Sequence, residues 1–153
     1  LATLWPHRFL FLALHEFVTS TKLGDVYSSG IRLRVRPGKI RLPDVLFLHK
    51  DHYSARQNDV WDAADLVMEI VSHEPKDRRR DYEEKLIDYA EGKVAESWIV
   101  DPERHTVEVH RLAGDRYELA GSYAAGQHAA SRLLEGFAVD VDALFAVIKD
   151  IPE

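Results

Sequence analysis

Apolar positions along the chain switch between a helical period and a strand period several times. His7 to Thr21 carries Phe9, Leu10, Leu14, Phe17 and Val18 at helical spacing, which predicts an amphipathic helix with Gly24 as its stop. Val26–Tyr27 and Ile31–Val35 read as short strands around a Ser28-Ser29-Gly30 turn, and Pro37-Gly38-Lys39 is a second turn. Ile40 to His49 reads as the next strand. Residues 50–63 form a long polar connection, with Trp61 near its end. Ala64 to Ser72 is the strongest strand pattern, and Asp77 to Glu91 is a helix that ends near Gly92. Glu96–Val100 and Thr106–Leu112 predict a hairpin across Asp101-Pro102-Glu103-Arg104, and Arg116–Tyr123 another strand. Asp140 to Lys149 closes the pattern as a helix capped by Asp140. There are no repeats and no internal linker. The order predicts a single domain over residues 1–153, of the α/β (α+β) class.

Two positions break the apolar pattern of the strands. Asp44 stands in PDVLFLH (43–49), and Glu69 in DLVMEIVS (65–72). Strand parity puts Asp44 on one face with Leu42 and Leu46, and Glu69 on one face with Val67 and Val71. The opposite faces are apolar too, as in central strands covered by helices. A carboxylate in such a place is costly unless something pairs with it. One reading pairs each acid with Arg32, Arg34 or Arg41 in structural salt bridges. The other joins the two acids in a small site for a divalent cation. Mg²⁺ suits that site, since one or two carboxylates with waters and substrate phosphate typically hold it.

The helix after Glu69 supplies a charge. Asp77, Asp81, Lys85 and Tyr89 fall four residues apart and share one helix face. Leu86 and Ala90 lie beside that stripe, so part of it should face the sheet. Lys85 can then balance the two acids and orient an attacking water.

Composition narrows the function classes. The chain has no cysteine, which excludes a disulfide framework, a thiolate metal site and a thiol nucleophile, and suits a cytoplasmic protein. The apolar run Leu10–Leu14 is too short to span a membrane. A net charge of −6 argues against general affinity for nucleic acid and leaves room only for a local basic face. Lys76, Arg78, Arg79 and Arg80, at the entry of the helix, form one candidate. The chain begins at Leu1 rather than methionine, and a preceding N-terminal segment is expected.

These residues carry a resemblance. PDVLFL (43–48), ADLVMEIVS (64–72), RRDYEEKLIDYAEGKV (79–94) and ESWIVDPERHTVEV (96–109) resemble, in order and spacing, the Uma-two family of putative restriction endonucleases. That family is a branch of the PD-(D/E)XK nuclease superfamily. The resemblance implies a restriction-endonuclease-like mixed β-sheet flanked by helices. It implies that Asp44 is the acid of the PD motif and Glu69 the acid of the second motif. The superfamily's lysine two residues after the second acid is replaced here by Val71, and Lys85 matches the helical position where the family places it instead. Ser97 replaces an aromatic residue of the family. Gly92 lies one place before the family's usual glycine, where Lys93 stands.

The expected function is therefore hydrolysis of DNA phosphodiesters with Mg²⁺ or Mn²⁺ held by Asp44 and Glu69, and with Lys85 as the third catalytic residue. A homodimer is expected, because cutting both strands of a duplex takes two sites. No membrane partner is expected. The alternative is a catalytically inactive module for binding nucleic acid or protein that keeps the nuclease fold. Glu16 on the first helix is a weaker candidate ligand, His73 a candidate substrate contact, and the His49/His52 pair an incidental HxxH.

Overall fold

A computed structural model describes residues 4–71 and 78–149 of the chain. Helix α1 (Leu4–Thr21) is followed by strands β1 (Gly24–Ser28), β2 (Leu33–Arg36), β3 (Lys39–Arg41) and β4 (Val45–His49), then a short 3₁₀ turn over Lys50–Ala55. Strand β5 (Leu66–Ile70), helix α2 (Arg78–Glu91) and strands β6 (Glu96–Asp101), β7 (Thr106–Ala113) and β8 (Arg116–Tyr123) come next. Two short strands, β9 (His128–Ala130) and β10 (Ala138–Asp140), lead into helix α3 (Val141–Lys149). Asp140 caps α3 as expected, accepting the N–H groups of Asp142 and Ala143.

Six strands form the central sheet, in the order β1-β4-β5-β6-β7-β8. It is mixed: β5 runs parallel to β6, and the other neighbours are antiparallel. The parallel pair needs a crossover, and α2 supplies it. Strands β4 and β5 are interior and apolar on both faces, so helices must cover both. On one face Val45, Phe47, Met68, Trp98 and Val109 pack with Leu10 and Leu14 of α1 and Leu144 of α3. On the other, Leu46, Leu48 and Val67 pack with Tyr89 of α2 and with Leu33 and Val35 of β2. Among the described residues no helix is long and apolar enough to cross a membrane.

The expected strand over residues 40–49 is two strands. β3 pairs only with β2, in a ribbon separate from the main sheet, and the chain bends through Leu42-Pro43-Asp44 before β4 starts. Proline has no N–H to give to a ladder, which marks the break. Leu42 is therefore 59% exposed and shares no buried face with Asp44.

The end of α2 shows what the shifted glycine does. Lys93 takes the left-handed conformation (φ 59°) that glycine usually fills at this point of a helix end. Gly92 is needed for another reason, since a Cβ there would lie 3.2 Å from the backbone of Val35. The glycine lets the β2–β3 ribbon press onto α2.

Candidate active site

Asp44 lies on the bend that enters β4, and Glu69 near the end of β5. Val45 is opposite Met68, and one more step of that register sets Asp44 across from Glu69. Both side chains belong to the face covered by α2. Asp44 is fixed by the N–H of Ile70, which donates to Oδ2 at 2.8 Å. Its own carbonyl accepts the N–H of Ser29 at 3.0 Å.

Glu69 is buried, with 5% of its surface exposed. Tyr89, fully buried one face-width along α2, donates its hydroxyl to Oε1. The ammonium of Lys85 stands 3.5 Å from Oε2 and 3.3 Å from Oδ2 of Asp81. The two oxygens of Glu69 thus have different tasks, one tied to the helix and the other turned to Lys85. Glu69, Asp81, Tyr82, Lys85 and Ile99 line a small pocket at this point.

Electrostatics set this acid apart. Burial pushes the Glu69 carboxyl up to about 7, and the charge of Asp44 adds to the push. The ammonium of Lys85 and the hydroxyl of Tyr89 pull the other way without cancelling it. Burial by itself lowers Lys85, but Glu69 and Asp81 outweigh it and hold the ammonium above its usual value. Burial, then the Glu69 charge, raise Tyr89 well above the usual phenol range, so its hydroxyl stays a donor.

Two of the arginines named as partners for the acids, Arg34 and Arg41, go elsewhere. Arg41 and Arg36 both bond Asp88 of α2, at 2.7 and 2.6 Å, and Arg34 bonds Asp62 at 2.7 Å. Glu16 is exposed on α1, which packs on the opposite face of the sheet from Glu69. His52 pairs with Asp65 at 2.8 Å. His73 and Lys76 lie outside the described residues, as do the side chains of Arg78, Arg79 and Arg80. Among the described residues no group of three or more histidine, aspartate and glutamate side chains is arranged to hold a metal, so Asp44 and Glu69 stand as a pair.

The sequence reading put Tyr89 in the same stripe as Lys85 but gave it no role. Its spacing from Lys85 was the available signal. A second buried acid was passed over altogether. Glu96, 1% exposed, accepts from Trp98 Nε1, Ser131 Oγ and the backbone N–H groups of Arg132 and Leu133. It shares the α1 side of the sheet with Trp98 and serves as a structural anchor.

Comparison with known proteins agrees with this architecture. No curated protein matches the chain. A solved structure described as a putative nuclease belonging to DUF820 from Anabaena variabilis superposes with a TM-score of 0.72 at 14% identity. The match covers 94% of this chain and 79% of that one, and it shows the shared fold. The family Uma2, described as putative restriction endonuclease, matches residues 2–142. That span takes in both strands of the acid pair and the helix of Lys85, and the chain belongs to the Uma2 family of putative restriction endonucleases.

Proposed function

We propose that this protein is a metal-dependent endonuclease that hydrolyses DNA phosphodiester bonds, with Asp44, Glu69 and Lys85 as its catalytic residues. The observation that carries the reading is the pair of acids across two neighbouring strands, with a lysine from the crossover helix beside them. The donor set fits Mg²⁺ or Mn²⁺: carboxylate oxygens are hard ligands, and one lysine leaves the negative charge of the pair under-compensated. Asp44 and Glu69 would hold the ion. When bound, it supplies a water of lowered pKa and stabilises charge on phosphate oxygens. Tyr89 fixes the rotamer of Glu69 by its bond to Oε1. Lys85, beside Oε2, orients the attacking water and offsets charge that develops on the phosphate.

Cleavage of plasmid DNA by the full-length protein, with Mg²⁺ or Mn²⁺ and then with chelator, tests this reading. Cleavage that ignores the chelator, or no cleavage with either ion, counts against it. Lys85→Met separates the roles within the site. It keeps most of the side chain's bulk and removes the charge, so turnover should fall by about 10²-fold or more while metal affinity changes little. Titration of Mn²⁺ binding beside single-turnover rates reads the two apart, and full turnover in the variant removes Lys85 from the mechanism.

Cutting both strands of a duplex calls for two copies. Ile87 of α2 and Leu119 of β8 are 60% and 56% exposed and line one groove between these elements. β8 is an edge strand of the sheet, a place where a second copy could pair. A homodimer is expected by light scattering at micromolar concentration, and a monomer there would contradict the assembly.

A further inference from the structure

Residues 32–41 are basic out of proportion to the rest of the molecule. Arg32, Arg34, Arg36, Lys39 and Arg41 fall within this stretch without one acid, in a chain of net charge −6. The stretch is the β2–β3 ribbon with its approach. Leu33 and Val35 point inward and are buried, at 1% and 3% exposure, and Arg36 turns to Asp88 and Glu91 of α2, while Arg32 and Arg34 line the opposite, exposed face. At two residues per step they stand roughly 7 Å apart along one row.

The ribbon's position gives this row a direction. Arg36 and Arg41 clamp it to Asp88, one residue before Tyr89 on α2. From Arg41 the chain runs through Leu42 and Pro43 directly into Asp44. Leu33 pairs with Arg41, so the Arg32 end of the ribbon is the end from which the chain enters Asp44. Arg34 does bond Asp62, but both side chains are 47% exposed. An exposed pair of that kind is worth little and exchanges readily for another anion.

We propose that the outer face of the β2–β3 ribbon is a contact surface for the phosphate backbone of a nucleic-acid duplex, with Arg32 and Arg34 as its principal contacts. Such a row answers the objection raised by the acidic net charge, because binding needs local neutralisation of phosphates rather than a basic molecule. The row reads charge and spacing, so it seats a duplex beside the acids without choosing its sequence. The proposal rests on the nuclease reading for its ligand class, and its test is a binding measurement in which no bond is cut.

Fluorescence anisotropy of a labelled duplex of about 20 base pairs, in EDTA at several salt concentrations, reads affinity and its salt slope. Arg32→Glu with Arg34→Glu should weaken binding at least about tenfold at low salt and flatten the log–log salt slope by about 2. Arg32→Gln with Arg34→Gln should do the same in smaller measure, and it guards against a folding defect in the charge reversal. Arg111→Glu with Arg116→Glu, an equal change of net charge on β7 and β8, should leave affinity near that of the wild type. Wild-type affinity and slope in both ribbon variants overturn the proposal, as does an equal loss in the β7–β8 control or no salt-sensitive binding by the wild type. If the wild type binds with this salt slope but never cuts, the ribbon stands and the catalytic reading falls.

Discussion

Glu69→Gln should abolish metal-dependent cleavage and, at pH 8, make the protein more stable. The variant keeps the shape of the side chain and an acceptor for Tyr89 but loses the charge that would hold a cation, so cleavage should drop by at least about 10³-fold. The stability effect follows from burial. Burial holds the folded-state value of Glu69 at about 7, above the ordinary value of 4.5. A raised acid favours folding fully below its unfolded value, and that contribution is lost as pH climbs through the folded one. Wild-type stability should therefore decline between about pH 4.5 and 7 through this residue, by an upper bound of about 3 kcal/mol. Glutamine removes the decline, so the variant should gain at pH 8 and differ little at pH 5. Divalent metal should stabilise the wild type progressively more as pH rises towards 7 and should not stabilise the variant. Thermal melts at pH 5 and pH 8, with and without Mg²⁺, check all of this. A variant that cuts, or that melts earlier than the wild type at pH 8, refutes it. Asp44→Ala should lose cleavage equally.

Glu96→Ala should do the reverse: the protein should be badly destabilised, and for a reason remote from any chemistry. The carboxylate of Glu96 is the acceptor for four donors, two of them backbone N–H groups of residues 132 and 133. Alanine leaves them without it in a buried place, at about 1–3 kcal/mol for each group left unmatched. Local shifts and water will recover part of this, so a net loss of about 3–5 kcal/mol is expected. For a domain of this size that lowers Tm by roughly 10 °C. Urea denaturation followed by tryptophan fluorescence suits the test, since Trp98 is one of the donors. A midpoint within experimental scatter of the wild type would show that Glu96 anchors nothing.

These two acids also show what the sequence could and could not reveal. Glu69 interrupts an apolar strand and Glu96 opens one, and the cost of burying a carboxylate applies to both. What separates them is the partner set. Glu69 has a tyrosine and a lysine from the next helix, at a spacing visible in the sequence. Glu96 is met by residues 131–133, far along the chain, in a segment with no periodic signal. The short strands β9 and β10 escaped for a related reason, since three residues are too few for an alternation to be read. Long elements were legible because their cores repeat: α1, β5, α2 and the β6–β7–β8 run lie close to where the pattern puts them. The misplaced boundary at Asp44 came from reading across Pro43. Parity nonetheless carried over the bend: Asp44 immediately precedes Val45, which faces Met68, and its carboxylate accepts the N–H of Ile70 on β5.

The way the two acids are tethered limits how they can bind. Asp44 commits Oδ2 to the N–H of Ile70, and Glu69 commits Oε1 to Tyr89. Each carboxylate thus spends one lone pair of one oxygen within the fold, and the ammonium of Lys85 faces the other oxygen of Glu69. Asp44 and Glu69 would hold the proposed Mg²⁺ or Mn²⁺ together with water and substrate phosphate oxygens. The protein's own hydrogen bonds thus fix the orientation of each carboxylate before any ligand arrives.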